Sequence, residues 1–172
     1  MKKYELTTEC KEFLERKLYR IKALTSFSDV KEGDLGGWIE KEENLSQEGD
    51  AWVCNNAMVC GNATVCDNAM VCDNAWVYGN AWVYGNAEIK KKTHLLEIGF
   101  IGSRDDVTTF FRTKDKGIFV KCGCFKGNID EFEKQVQKVH GDDKHGRVYA
   151  LAIAMAREQI ELDDEDVEEE DE

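Results

Sequence analysis

A six-residue repeat runs from Ala51 to Ile89 and constrains the fold more than any other feature of the chain. Each unit reads Ala-x-Val, then usually Cys or Tyr, then a pair drawn from Gly, Asn and Asp. The alanines that mark the period are Ala51, Ala57, Ala63, Ala69, Ala75, Ala81 and Ala87. Because a fixed period is the signature of stacked repeats, we expect successive units to pack on one another.

Alternation within a unit predicts a short strand followed by a corner. Residues two apart in a strand share a face, so Ala and Val point inward and the residues between and after them point outward. Gly, Asn and Asp tolerate the positive φ of a sharp corner. Val suits a buried, pleated wall because it is β-branched.

The repeat resembles the hexapeptide repeats of left-handed β-helices, in which three units make one triangular coil. That resemblance implies that residues three units apart stack vertically, about 4.8 Å from one another. Ile39 and Leu45 fit the alanine register, so we expect the coil to begin near Leu35 in a less regular form. A pentapeptide-type right-handed helix and a plain β-meander are the alternatives, and the strict period disfavours both.

The fold class we predict is mainly β, a short left-handed parallel β-helix between two flanking regions. Strands around residues 3–6 and 17–24 are expected to form an N-terminal β cap. The predicted divisions are 1–34 for this cap, 35–89 for the β-helix, 90–160 for a C-terminal α+β domain and 161–172 for a disordered acidic tail.

Three strands followed by two helices, βββαα, are predicted in the C-terminal region. The strands are expected at residues 95–101, 108–112 and 117–121. Asn128 is a good N-cap with Glu131 three residues later, which predicts a capping box and a helix that Gly141 ends. A second helix over residues 144–160 is apolar around most of its circumference, so we expect it to pack on more than one side.

The net charge of −12 is concentrated at one end of the chain. Ten of the twelve residues from 161 to 172 are acidic, which leaves −2 on residues 1–160. The simplest interpretation is a solvated segment that aids solubility. The alternative is a nucleic-acid mimic that occupies a basic groove on a partner.

Composition also bears on location and redox state. No stretch is apolar enough for a membrane span, and the first residues lack the apolar core of a signal peptide. We therefore predict a cytoplasmic location in a bacterial host cell, with no membrane partner. The seven cysteines are expected to be reduced there.

The cysteines of the repeat, Cys54, Cys60, Cys66 and Cys72, first look like a zinc cluster. Consecutive units lie on different faces of a triangular coil, however, and only Cys54 and Cys72 stack. We therefore expect no metal site. Cys122 and Cys124 are spaced too tightly for a thioredoxin-like motif, and we expect them to pack as small apolar side chains.

The three histidines, His94, His140 and His145, all lie outside the repeat. Hexapeptide acyltransferases are similar to this repeat, and they use a histidine between neighbouring coils together with extended loops. The repeat has neither, so a general base is missing and we predict no enzyme, no catalytic residues and no cofactor. His94 follows the last unit, and it keeps an acyltransferase as the less favoured alternative.

The outward positions of the repeat carry large aromatic side chains. Exposed Trp and Tyr at this density mark interaction surfaces. No Lys or Arg occurs in the repeat, so we predict no direct nucleic-acid contact. The predicted partner-binding residues are Trp52, Trp76, Tyr78, Trp82 and Tyr84, with Asp163, Asp164, Glu165, Asp166, Glu168 and Glu169 of the tail.

Stretches outside the repeat resemble uncharacterised phage and prophage proteins of Gram-positive bacteria. The stretches are LYRIKAL at 18–24, GDLGGWIEKEENLS at 33–46, CGCFKGNIDEFE at 122–133 and HGDD at 140–143. The resemblance covers nearly the whole chain and implies a hexapeptide β-helix between such ends, but no reaction. Cysteines in the outer columns, where Tyr is usual, and the acidic tail depart from the family.

These features favour a non-enzymatic, phage-type protein. The hypothesis is an inhibitor that binds a host protein of a bacterial defence or nucleic-acid-handling system, an anti-CRISPR among them, by covering a surface or basic groove. We also expect a homo-oligomer. The alternative is a scaffold that self-associates through its repeat, without a host target.

Overall fold

The computed structural model describes residues 2–163. In this part, fourteen strands lie in four sheets and two α-helices follow them, which confirms a mainly β protein. The strands are β1 Tyr4–Phe13, β2 Arg16–Ala23, β3 Leu35–Ile39, β4 Trp52–Val53, β5 Met58–Val59, β6 Thr64–Val65, β7 Met70–Val71, β8 Trp76–Val77, β9 Trp82–Val83, β10 Glu88–Ile89, β11 Leu95–Ile101, β12 Asp106–Arg112, β13 Ile118–Cys122 and β14 Phe125–Asn128. The helices are α1 Ile129–His140 and α2 Lys144–Gln159.

Each repeat unit forms a strand of two residues, β4 to β10. A strand pairs in parallel with the strand three units away, as Trp52 does with Met70. The Trp52 N–H donates to the Ala69 carbonyl at 3.0 Å. Every Ala and Val of the repeat register is buried, so the predicted inward register is confirmed. Corner residues such as Asn55 and Gly61 have positive φ, as expected.

The predicted left-handed parallel β-helix is nevertheless wrong as the fold class. The strands fall in four separate sheets, ordered β1-β2-β3-β5-β8, β4-β7-β10, β6-β9 and β11-β12-β13-β14, and none of them closes or forms a solenoid within residues 2–163. The first sheet is mixed, since antiparallel β1, β2 and β3 continue into parallel β5 and β8. The physical reason lies in the corners, which interrupt each strand after two residues and confine pairing to separate walls.

The register assigned to Ile39 and Leu45 is also wrong. Ile39 pairs with Val59 and Leu45 with Val65, an offset of 20 residues, so both follow the valines and not the alanines. Trp52 pairs with Met70 at an offset of 18. Two extra residues therefore lie between Leu45 and Trp52, where the chain makes a turn with Gly49 at positive φ.

The N-terminal strands are continuous with one wall of the repeat. β1 and β2 make an antiparallel hairpin, and β2 pairs with β3, so the hairpin extends the β5 and β8 wall of the repeat. Phe13 pairs with Arg16 at the end of the hairpin, and residues 13–16 are termed the hairpin tip. The two residues between them, Leu14 and Glu15, both have positive φ.

Four antiparallel strands form the C-terminal sheet, where three were predicted. The strand that was missed, β14, follows the turn at Gly123 and has no alternating pattern. The predicted capping box is confirmed: the Glu131 N–H donates to the Asn128 side chain at 2.9 Å, and the Asn128 N–H donates to the Glu131 carboxylate. One face of the sheet packs on the helices, and the other packs on the last repeat units.

Helix α2 packs on one side only, contrary to the prediction. Tyr149, Ala152, Ile153 and Ala156 are buried, whereas Leu151 and Met155 on the opposite side are exposed. Within the described residues, neither helix has the length and apolar character that crossing a membrane requires.

Candidate functional site

The structure places the predicted aromatic residues in different surroundings. Trp52 is only 3% exposed, because Phe27 at 5.4 Å and Tyr4 at 6.3 Å between ring centroids cover it. Its assignment as a partner-binding residue is therefore wrong. The sequence of the repeat does not show which wall the N-terminal segment covers.

Tyr84 is buried as well, so its predicted role in partner binding is also wrong. Its ring packs edge-on against Phe111 and Phe119 of the C-terminal sheet, at 5.7 and 5.5 Å. Burial raises the pKa of Tyr84 to about 12. Tyr84 therefore packs the repeat against the C-terminal sheet.

Trp76 and Tyr78 lie on the wall next to the hairpin tip. The Trp76 ring packs edge-on against Phe13 at 4.3 Å, and the Lys92 ammonium lies 4.0 Å from its centroid. Tyr78, two residues on, is 59% exposed. These residues border a cleft of about 560 Å³ between the hairpin tip and the repeat, termed the hairpin cleft. Its apolar lining is Phe13, Leu14, Met58, Cys60, Trp76 and Tyr78.

Two of the three charged groups of the hairpin cleft, Arg16 and Glu40, neutralise each other, and the third is Lys41. Arg16 Nη1 donates to both carboxylate oxygens of Glu40, at 2.8 and 2.9 Å. Burial opposes ionisation of Glu40, but the Gly61 N–H at 2.6 Å and Arg16 outweigh it and lower the pKa of that carboxyl. Burial raises the pKa of the Cys60 thiol, which stays protonated and is a poor nucleophile.

The hairpin tip contains two residues with positive φ, and one of them is an exposed apolar residue. Leu14 and Glu15 have φ values of 47° and 60°, in the region that two-residue hairpin turns normally fill with Asn and Gly. Leu14 is also 70% exposed. A bulky apolar residue at such a position is unfavourable for folding, and strain of this kind clusters at functional sites. The sequence signal was a hairpin turn without Gly or Asn, and the prediction overlooked it.

Trp82 remains partly accessible, with 39% of its surface exposed. Lys121 and Lys126 of the C-terminal sheet lie near its ring, with Nζ to centroid distances of 5.3 and 5.0 Å. The repeat sequence gave no sign of these cations, because the fold brings them from a separate region.

Cys54 and Cys72 stack as predicted, and a disulfide joins them with a Cα separation of 4.7 Å. The prediction that all cysteines are reduced is therefore wrong for this pair. Close stacking on one wall makes the bond possible. No cluster of His, Cys, Asp and Glu that could hold a metal ion occurs within residues 2–163.

His94 is almost completely buried at the junction between the repeat and the C-terminal sheet. Its Nδ1 accepts a hydrogen bond from the Lys90 N–H at 3.3 Å. Burial, and then the nearby Arg112, lower the pKa of His94. His140 contacts the Asp143 carboxylate at 3.4 Å. In the described part of the chain, none of the three histidines lines the hairpin cleft.

The start of the predicted acidic tail is held against the fold. Lys91 pairs with Glu161 at 2.9 Å, and the Arg112 guanidinium donates to the Leu162 carbonyl at 3.3 and 3.4 Å. Asp163 is exposed. The other tail residues predicted to bind a partner lie outside the described residues: Asp164, Glu165, Asp166, Glu168 and Glu169.

Comparison with known proteins gives a partial similarity. No family model matches the chain. A stretch of 61 residues is 38% identical to a protein of Escherichia coli (strain K12) described as "Uncharacterized acetyltransferase YdcK", and it covers 31% of this chain. The chain spans only 19% of the length of that curated relative.

Proposed function

We propose that this protein is a non-enzymatic binding protein that holds a partner protein at the hairpin cleft. The observation that carries the proposal is the pair of exposed side chains, Leu14 and Tyr78, at the rim of the cleft. Tyrosine is among the residues that contribute most of the affinity of protein interfaces, and the exposed Leu beside it adds apolar surface that a partner can bury.

The floor of the cleft supports this role. Phe13 and Trp76 pack on each other, and Met58 lies beside them. The floor of the cleft beneath the rim residues is therefore packed and apolar. Because Arg16 and Glu40 are paired, an apolar partner does not leave either of these two charges buried alone. A cleft of about 560 Å³ accepts one or two large side chains of the partner.

Substitution at the rim tests the proposal directly. The Leu14→Ser and Tyr78→Ser double variant should lose a partner that the unchanged protein captures from a bacterial lysate after cross-linking. Leu151→Ser is the matched control, because Leu151 is also 70% exposed but lies on α2. A partner that the double variant and Leu151→Ser retain equally would contradict the proposal. Capture of a second copy of the chain through the same residues would identify the self-associating scaffold.

In its narrower form, the proposal is inhibition of a bacterial defence or nucleic-acid-handling protein, an anti-CRISPR among the possibilities. The resemblance to phage and prophage proteins and the acidic tail support it. The structure indicates where to truncate: Glu161 and Leu162 contact Lys91 and Arg112, so the deletion should start at residue 164. A tail that occupies a basic groove predicts weaker binding with less salt dependence after deletion. Unchanged affinity would exclude the groove-mimic form.

The second candidate is an acetyltransferase, which the partial similarity to the E. coli protein favours. This candidate needs a group that can accept a proton, and the ionisable Glu40 and Cys60 of the cleft are ion-paired and protonated, respectively. Calorimetry with acetyl-CoA, followed by an assay of acetyl transfer to small amines, tests it. Saturable binding with turnover would favour the acetyltransferase over the binding protein.

A further inference from the structure

A second accessible aromatic side chain, Trp82, lies outside the hairpin cleft, on the wall that β6 and β9 form. Its ring is partly exposed, and the ammonium groups of Lys121 and Lys126 lie about it. Lys126 is also 4.9 Å from the centroid of Tyr84. These three residues, Trp82, Lys121 and Lys126, are termed the Trp82 patch.

The two lysines are an unfavourable pair in the absence of an anion. Lys121 and Lys126 are direct partners across β13 and β14, so their side chains share one face of the sheet. Like charges directly opposite each other destabilise a strand pair. Among residues 2–163, neither ammonium has a carboxylate within ion-pair distance. In the described part of the chain, the two ammonium groups therefore lie beside Trp82 without an ion-pair partner.

A cation–π contact with Trp82 explains why one lysine lies beside the ring, but it does not explain why two lysines do. A single ammonium near the ring is attracted by the negative face of the indole. A second lysine directly opposite adds repulsion to this arrangement. An anion between the two ammonium groups would remove that repulsion.

The Trp82 indole is 39% exposed, so part of its ring is available to a ligand, while Tyr84 packs beside it at 6.0 Å between ring centroids. An exposed aromatic face can stack on a nucleobase, because every base has a π-face. Lysine ammonium groups beside it supply the charge that a phosphate requires.

We propose that the Trp82 patch binds a nucleotide, with the base on the Trp82 indole and the phosphate between Lys121 and Lys126. The expectation of no nucleic-acid contact rested on the absence of Lys and Arg from the repeat, and the fold supplies both lysines from β13 and β14. One ring and two ammonium groups match one nucleotide unit, whether it is free or part of a single strand. The inference is independent of the proposed function, since it concerns a different wall.

Binding to ATP and to a fluorescent oligothymidylate should be measured with the full chain at low salt. Lys121→Gln with Lys126→Gln should weaken binding at least tenfold, and Trp82→Leu should do the same with both lysines intact. Lys134→Gln with Lys138→Gln is the control, because these exposed lysines of α1 give the same change in charge. Circular dichroism melts establish that each variant is folded.

Each outcome bears on the proposal. Saturable binding of ATP identifies a free nucleotide as the ligand, and tighter binding of the oligothymidylate identifies a single strand. Loss of affinity in the two patch variants, but not in the α1 control, supports the site in either case. Absence of binding by the folded protein, equal affinity in the patch variants, or full competition by a polyglutamate peptide would overturn it.

Discussion

The Arg112 guanidinium of β12 donates to the Glu88 carboxylate of β10 and ties the C-terminal sheet to the last repeat unit. Arg112 is completely buried, and Glu88 is mostly shielded from solvent. The same guanidinium donates to the Leu162 carbonyl, so it also holds the segment that follows α2.

Removal of this guanidinium should be strongly destabilising. Arg112→Met leaves the Glu88 carboxylate in the junction without its main partner, which typically lowers the free energy of unfolding by about 3–5 kcal/mol. Arg157→Met is the control, because Arg157 pairs with Asp130 and Glu133 on the surface and should change stability by less than about 1 kcal/mol. Urea unfolding measures both; equal midpoints for Arg112→Met and the unchanged protein would refute the prediction.

His94 should make stability depend on pH in mildly acidic solution. Burial and the neighbouring Arg112 and Lys91 lower its pKa, against the opposing effects of the Glu88 backbone and of Glu161. The unfolded chain, in which His titrates near about 6.5, then binds the proton more tightly than the fold does. The free energy of unfolding should therefore fall as the pH drops below about 6.5. His94→Gln should flatten this part of the profile, and His145→Gln, on a half-exposed residue, should not; identical profiles for all three proteins would contradict it.

The Cys54–Cys72 disulfide should be visible in thiol counts. Of seven cysteines, five are free, so alkylation of the denatured protein should label five thiols before reduction and seven after it. Reduction should lower the free energy of unfolding by about 3 kcal/mol, because the bond closes a loop with a sequence separation of 18. The free energy of unfolding of Cys54→Ala with Cys72→Ala should not change when reductant is added. That of Cys60→Ala should fall on reduction as it does for the unchanged protein. Seven labelled thiols before reduction would show that the bond does not form in solution.

Substitutions that relieve the strain of the hairpin tip should stabilise the fold and weaken partner binding. Leu14→Asn with Glu15→Gly installs the residues that the observed φ values favour and should raise the free energy of unfolding by about 1 kcal/mol. The same change removes the exposed Leu14, so partner capture at the hairpin cleft should be lost. Thermal denaturation checks the first effect. A destabilised double variant would mean that the native turn is not strained.

Local periodicity made the interior of the repeat predictable. Ala57 and Val59, like their equivalents in every unit, face inward because side-chain direction in a strand follows from the nearest neighbours in sequence. The capping box of Asn128 and Glu131 was predictable for the same reason, since it involves residues three positions apart.

The features that could not be predicted depend on tertiary contacts, which the sequence pattern does not show. Tyr4 and Phe27 cover Trp52, and nothing in the repeat distinguishes Trp52 from the exposed Trp82. The offset of 20 residues at Ile39 depends on a turn of irregular sequence, for which no period exists. The lysines beside Trp82 come from β13 and β14, so the chemistry of that wall could be recognised only after folding brought them there.

The short strands of the repeat affect how readily two copies of the protein can pair through their sheet edges. Sheets end at β8, β9 and β10, and a sheet edge can recruit a strand from another chain. Each of these edges offers two residues before a corner turns the backbone away, too few to fix the register of an incoming strand. Proteins often guard such edges with charge, yet this repeat contains no Lys or Arg. Within the repeat, these two-residue strands therefore limit edge-to-edge pairing, and the same geometry recurs at every Asn, Asp or Gly corner.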